Sequence, residues 1–326
     1  MNCSGSPIEK AEHAELISEE FSHNDLYVKR EDLLPFSFGG NKARIGAAYI
    51  KDAKAKGCDA MLVYGSASSN MCRVLAAMCR SEGMFCRILS AADINGRYET
   101  TFNSLLFGAC GFEVTVCRRN EVGLQVGKIM NELRGKGYKP YYIFDDDNIT
   151  AAMSAYRDAY FEILSCGTCF DFIFLPVGTG ITFSGIMCGR IEALTSDNAE
   201  YRNFAEKSSI IGVTVSRTAE AELDIVNKYM RMYCEACPSE PPWHDNIEIY
   251  EGGRLGGYGI YNDNVLEICR KAYYAAGIGL DPIYSGKAMR GMINYINENS
   301  ISGKNILFIH TGSAPLFFEK AEEIFK

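Results

Sequence analysis

The sequence has no excess of basic residues. Its 326 residues hold 33 Lys and Arg against 41 Asp and Glu, a formal net charge of −8. A duplex-binding face needs clustered cations to meet phosphates, so nucleic acid is not an expected partner. Anionic membranes are excluded on the same ground. No apolar stretch approaches the length of a membrane span. The opening residues Met1–His13 carry no basic region followed by an apolar run, so they do not read as a signal peptide. A cytoplasmic protein is the expectation. No internal repeat and no low-complexity tract is present. Paired cysteines are also missing, because the 13 cysteines are odd in number and scattered through apolar runs. Thiols placed this way read as reduced core residues, not as a disulfide framework. Two Cys-x-x-C pairs, Cys166/Cys169 and Cys234/Cys237, lie too far apart in the chain for a zinc ribbon, and no metal is expected.

What is present is the composition of a globular protein, with 47% hydrophobic and 23% charged residues. That is enough for two ordinary domains or one large one. Short apolar runs recur at Ala60–Tyr64, Phe85–Leu89, Glu113–Cys117, Tyr141–Phe144, Phe172–Val177, Ile210–Val215 and Ile306–His310. Their near-continuous apolar character suits parallel strands covered on both faces. Helical periodicity fills Asn70–Glu82, Leu124–Arg134 and Ala152–Leu164 between them. Alternation of this kind specifies an α/β fold with open, twisted parallel sheets. There are too many alternations for one sheet, so two α/β domains are expected, with active-site groups drawn from both. Tyr229–Trp243, rich in Cys, Pro and Met, reads as a surface loop. Asp145–Asp147 reads as a carboxylate cap at a helix start.

Three loops follow strands, where open α/β sheets place ligands. Ser66–Asn70 offers hydroxyls and backbone N–H groups at a helix start, either as an ordinary cap or as an anion site. Gly178-Thr179-Gly180-Ile181-Thr182 follows Phe172–Val177 and precedes a helix expected near Ser184. Its glycines let N–H groups converge on a phosphate. It is neither a Walker loop nor a dinucleotide fingerprint, because no Gly-Lys-Ser/Thr follows and position 183 is Phe. A cofactor monophosphate fits it. His310-Thr311-Gly312-Ser313 presents further hydroxyls. Lys42 stands in Gly39-Gly40-Asn41-Lys42 at a helix start. Desolvation there lowers an amine's pKa and makes it nucleophilic.

With these residues in place, the chain resembles the fold-type II pyridoxal 5'-phosphate (PLP) enzymes. The resemblance is to the branch that contains D-cysteine desulfhydrase and 1-aminocyclopropane-1-carboxylate (ACC) deaminase. It runs through Ser6-Pro7-Ile8-Glu9, Tyr27-Val28-Lys29-Arg30-Glu31-Asp32-Leu33, Gly39-Gly40-Asn41-Lys42, Ser69-Asn70, the 178–182 loop, Ile211–Ser216, Gly257-Tyr258-Gly259, Asp281–Lys287 and His310-Thr311-Gly312. It implies the tryptophan synthase beta-like architecture, with a large PLP-binding domain of residues 1–43 and 159–326 and a small domain of residues 44–158. Lys42 is implied as the lysine that carries PLP and as the acid–base group at the substrate Cα. Asn70 is implied at the ring hydroxyl, and Gly178, Thr179, Gly180, Ile181 and Thr182 at the phosphate. Ser69 is implied by the substrate carboxylate, and Tyr258 and Tyr284 in the substrate pocket. Thr311 is implied near the pyridine nitrogen, with Ser285 close by. A homodimer acting on a small amino acid is the implied assembly.

ACC deaminases are expected to carry Glu where this chain has Ser285 and Leu where it has Thr311. A carboxylate at the pyridine nitrogen keeps the ring protonated and strongly electron-withdrawing, which cyclopropane opening needs. Hydroxyls suffice for β-elimination of a good leaving group. The expected reaction is therefore D-cysteine to pyruvate, sulfide and ammonia. The alternatives are ACC deamination, racemisation, β-replacement, or a non-catalytic PLP-binding protein. The chain departs from the family at Phe144–Asn148, where relatives have a Gly-Gly-Ser-like turn. It departs again at Ser68 and Met71, where desulfhydrase-like members have Gln and His.

Overall fold

Near-continuous apolar runs become central strands here because both faces of each are covered, while short or charged segments supply the edges. The computed structural model describes residues 5–92, 96–236 and 247–326. Its strands are β1 (Ile8–Lys10), β2 (Asp25–Arg30), β3 (Ala60–Ser66), β4 (Phe85–Ala91), β5 (Val114–Cys117), β6 (Pro140–Tyr142), β7 (Phe172–Val177), β8 (Ser209–Thr214), β9 (Glu248–Tyr250) and β10 (Asn305–His310). Its helices are α1 (Asn41–Ala55), α2 (Asn70–Ser81), α3 (Phe102–Gly108), α4 (Val122–Gly135), α5 (Asp146–Leu164), α6 (Ile181–Thr195), α7 (Ala199–Lys207), α8 (Ala219–Ala236), α9 (Asp263–Ala276), α10 (Ser285–Glu298), α11 (Ala314–Glu319) and α12 (Ala321–Phe325). No helix among the described residues is long and apolar enough to cross a membrane.

The chain divides into two compact units. One consists mainly of Lys42–Ala152, and the other of Met153–Lys326 with Phe38–Asn41 and the segment up to Leu34. The first unit holds a four-stranded parallel sheet in the order β5-β4-β3-β6. Ala60, Leu62, Leu89 and Cys117 of its strands pack with Ile129, Met130 and Leu133 of α4. The second unit holds a six-stranded sheet in the order β1-β2-β10-β7-β8-β9. It is parallel except for the antiparallel edge pair β1–β2. Its core joins Phe174, Val213 and Phe308 of the sheet to Ala288, Met289 and Met292 of α10. The expected α/β class with parallel sheets is what forms.

Several element limits differ from expectation. The run expected at Tyr141–Phe144 is a strand only to Tyr142, and α5 begins at Asp146, not Ala152. The cause is the acidic start: Asp146 and Asp147 lie in the first turn, and the Asp147 N–H donates to Asp145 Oδ1 at 3.2 Å. The helix expected near Ser184 begins at Ile181. Tyr229–Ala236 is the last part of α8 and not a loop; the remainder of that expected loop lies outside the described residues. Strand β2 was hidden by its charges. Lys29 is wholly buried and pairs with Glu162 at 2.8 Å and Glu31 at 3.6 Å. Cys166 and Cys169 are exposed free thiols, while Cys237 lies outside the described residues.

Candidate active site

Most of the loops that carry polar chemistry leave the carboxyl ends of parallel strands, where ligands settle on such sheets, whereas the Asp281–Tyr284 segment joins α9 to α10. Residues Phe36, Ser37, Phe38, Gly39 and Gly40 run consecutively at positive φ before α1 starts. Gly40 (φ +87°) is strained for any side chain, and an added Cβ would sit a tight 3.0 Å from the carbonyl oxygen of Thr311. Gly312 (φ +89°) faces it so closely that a Cβ there would come within 2.3 Å of the Gly40 Cα. Asn41 follows. Its N–H donates to the Thr311 carbonyl at 2.9 Å, and its Nδ2 donates to Thr182 Oγ1 at 3.0 Å. Lys42 is the next residue, in the first turn of α1. Desolvation lowers its amine from the ordinary lysine value to about 8, which makes a neutral nucleophile accessible at mild pH.

Ser69 is the N-cap of α2, and its Oγ accepts from the Cys72 N–H at 3.2 Å. Asn70 opens the helix. Its Oδ1 accepts from Arg73 Nη2 at 3.3 Å and from Asn103 Nδ2 at 3.0 Å. A guanidinium is only a donor, so the amide oxygen of Asn70 must face it and its Nδ2 faces away. Asn103 also donates to the Ser68 carbonyl at 2.9 Å, while its own buried Oδ1 has no partner. Arg73 reaches Ser37 Oγ at 3.0 Å. Burial presses its guanidinium down to about 10.

Gly180 (φ +80°) is the N-cap of α6, and no side chain caps that helix start. The backbone N–H groups of the loop are thus left to an anion, and the helix dipole adds to the attraction. The donor set of 178–182 fits a cofactor phosphate. The Gly178 carbonyl is held from the other side by Ser216 Oγ at 3.4 Å and by the Arg217 guanidinium.

Tyr284 Oη donates to Tyr258 Oη at 3.1 Å, so the two expected pocket tyrosines are in contact. Tyr284 is the N-cap of α10, and Ser285 is wholly buried behind it. The Ser285 hydroxyl is committed to Asp281: it donates to Oδ2 at 2.7 Å and accepts from the Asp281 N–H at 2.9 Å. Asp281 also accepts from the N–H groups of Ile283, Tyr284 and Ser285. Burial pushes its carboxyl up against these bonds, which pull it down. Thr311 is buried, and His310 Nδ1 accepts from the Gly312 N–H at 3.3 Å. Burial holds the His310 ring below the usual histidine pKa.

Within the first unit, Ser69 and Asn70 stand side by side at one helix start. Within the second, Asn41 joins the 178–182 loop to the 311 loop, and Tyr258 meets Tyr284. Sequence reasoning did not single out Arg73, Asn103, Asp281 or Lys287 as functional. Asp281 and Lys287 lie inside a quoted motif, but only burial marks them. Arg73 and Asn103 left no signal in the chain that set them apart from surface residues.

A family model described as "pyridoxal-phosphate dependent enzyme" matches residues 4–312. D-cysteine desulfhydrases of Yersinia pestis and Yersinia pseudotuberculosis are each 27% identical over 321 residues, covering 96% of this chain and 92% of theirs. The crystal structure of an ACC deaminase homologue superposes with a TM-score of 0.82 at 27% identity, covering 98% of this chain and 93% of that one. A hydrogen sulfide-producing enzyme from Fusobacterium nucleatum, 18% identical, shares the fold at a TM-score of 0.65 over 96% of this chain and 97% of its own.

Proposed function

Since the chain belongs to the pyridoxal-phosphate dependent enzymes, we propose that it is an amino-acid lyase of that family that takes D-cysteine to pyruvate, sulfide and ammonia. PLP, when bound, supplies an electron sink that acidifies the substrate Cα proton and lets a β-substituent depart. Lys42 holds the cofactor through its amine and then works as a base, removing the Cα proton while its nitrogen is neutral. The uncapped N–H groups of Gly178–Thr182 bind the cofactor phosphate. Asn70, oriented by Arg73 and Asn103, turns its amide nitrogen toward the cofactor's ring hydroxyl. Ser69 binds the substrate carboxylate from its place at the start of α2. Tyr284 and Tyr258, hydroxyl against hydroxyl, hold a proton for the departing sulfur.

The single observation that carries the choice of reaction is the chemistry at positions 285 and 311. Both side chains are buried hydroxyls, and Ser285 is bound to Asp281. A pyridine nitrogen beside hydroxyls stays a moderate electron sink, adequate for expelling thiolate. The desulfhydrases of the two Yersinia species support the same choice. The ACC deaminase homologue favours a second reading, ring-opening deamination of ACC. A cytoplasmic homodimer completes the proposal; two-fold dimers are the commonest closed assembly.

The test is a turnover panel on the PLP-loaded protein, following keto acid and sulfide from D- and L-cysteine, D- and L-serine and ACC. Sulfide from D-cysteine and not from L-cysteine is expected. Keto acid from ACC with no sulfide from D-cysteine would replace the first reading by the second. Turnover of none of them would overturn both.

A further inference from the structure

Lys287 is wholly buried on α10, yet its partners are not carboxylates. Its Nζ donates to the backbone carbonyls of Gly257 at 2.7 Å, Val215 at 2.8 Å and Arg254 at 3.0 Å. An ammonium has three N–H donors and no acceptor, and all three are used here. A neutral amine has two, so one of the three bonds would be lost in a dry interior. Backbone carbonyl oxygens converging from separate segments are also the surroundings in which proteins hold monovalent cations. Burial presses the Lys287 amine down to about 8, and Asp281 pulls it back up. Lys29 is the contrasting case, buried between two carboxylates on β2.

What Lys287 holds is a turn with little regular structure of its own. Leu255, Gly256, Gly257 and Gly259 lie at φ +50°, +92°, +142° and +77°. Two of the three carbonyls, those of Arg254 and Gly257, belong to this turn, and the third, that of Val215, directly follows β8. Tyr258 follows Gly257 directly. Its hydroxyl partner Tyr284 is the N-cap of the helix that carries Lys287. One helix therefore presents one tyrosine itself and grips the backbone beside the other.

We propose that Lys287 is a positioning residue whose ammonium serves as a built-in monovalent cation, clamping the 254–259 turn so that Tyr258 stays against Tyr284. The role of the tyrosines rests on the reading given under Proposed function; the clamp does not.

The clamp is tested by hydrogen–deuterium exchange with mass spectrometry on the full-length protein, with no substrate present. In Lys287→Met and Lys287→Gln, exchange over residues 254–260 is expected to rise about tenfold. The peptide over β10 is expected to keep its protection. In Lys287→Gly, ammonium or methylammonium chloride is expected to restore protection of the turn. Turnover in these variants is expected to fall chiefly in kcat. Unchanged exchange in the turn, or an equal rise over β10, overturns the proposal. If no variant folds, the unaltered protein still decides. Replacing potassium by sodium or tetramethylammonium is expected to leave its exchange and turnover unchanged. A requirement for an added monovalent cation overturns the clamp. Loss of the clamp's signature together with normal D-cysteine turnover would sink this inference alone, whereas an intact signature in a protein inactive on the whole panel would sink only the functional reading.

Discussion

Asn41 and Thr182 are joined by a hydrogen bond from the Asn41 Nδ2 to the Thr182 Oγ1 at 3.0 Å. The bond ties the residue before Lys42 to the helix start that follows the phosphate-type loop. The Asn41 N–H, bound to the Thr311 carbonyl, adds a second tether. The backbone of Asn41 is thereby fixed by groups far away in the chain.

Breaking that tether is expected to weaken PLP binding. Asn41→Ala and Thr182→Val each remove one neutral hydrogen bond, worth about 1 kcal/mol, or roughly fivefold in affinity. The double variant should be little worse than either single one, because both remove the same bond. Absorbance titration with PLP measures all three. Fully additive losses would show that the two residues act separately.

The closeness of Gly40 and Gly312 predicts a large stability effect. Gly312→Ala places a Cβ within 2.3 Å of the Gly40 Cα at φ +89°, and backbone cannot yield cheaply. A loss of about 3 kcal/mol or more is expected from strain and overpacking together. Gly303→Ala is the control: its φ is +70° but nothing lies within 4 Å of the new Cβ. It should cost only about 1 kcal/mol, for the left-handed backbone. Urea or thermal unfolding of the two variants separates the clash from the backbone term.

On the proposed role of Lys42 as the amine that takes PLP, its depressed pKa sets how cofactor loading depends on pH. Its amine titrates at about 8, and only the neutral form attacks the PLP aldehyde. Below that pH the neutral fraction grows with pH, so the loading rate of the PLP-free protein should rise about tenfold per pH unit. Above it the rate should level off. A stopped-flow series that kept rising toward the ordinary lysine value of 10.5 would refute a desolvated amine.

Lys42 is expected to be indispensable for the chemistry and not for the fold. Lys42→Ala should lose at least about 10³-fold in turnover, since both the nucleophile and the base are removed. Its circular dichroism should match the unaltered protein, and its bound PLP should wash out on dialysis. Retained turnover on D-cysteine would mean that another group takes the Cα proton.

The tyrosine pair should act as one unit. Tyr284→Phe and Tyr258→Phe are each expected to lower kcat about 10- to 100-fold, by removing a proton or its acceptor. The double variant should fall close to the worse single one. A steady-state kcat and KM comparison checks this, and a purely additive outcome would leave the 3.1 Å contact without a catalytic meaning.

Much of this architecture is written in local patterns. The apolar runs of β3, β4, β7, β8 and β10 announce themselves because parallel strands are covered on both faces. The Gly39-Gly40-Asn41-Lys42 turn and the 178–182 loop are legible because glycine and helix starts have local physical meanings. Strand β2 was not legible, since a buried lysine looks like a surface lysine until its two carboxylates are seen. The apolar period of α5 shows only from Ala152, but its start was legible in the acidic cap Asp145–Asp147.

By itself, then, the sequence determined the fold class and, through its resemblance to a known family, the cofactor; Lys42 and the 178–182 loop are the groups proposed to hold it. Only the tertiary structure decided that Asn41 braces Thr182, that Arg73 and Asn103 orient Asn70, that Asp281 claims Ser285, and that Lys287 sits among three carbonyls. These are pairings between residues mostly distant in sequence, or choices of partner within one turn. No local propensity encodes them; burial imposes them, because a polar group removed from water must find its complement wherever the chain brings one.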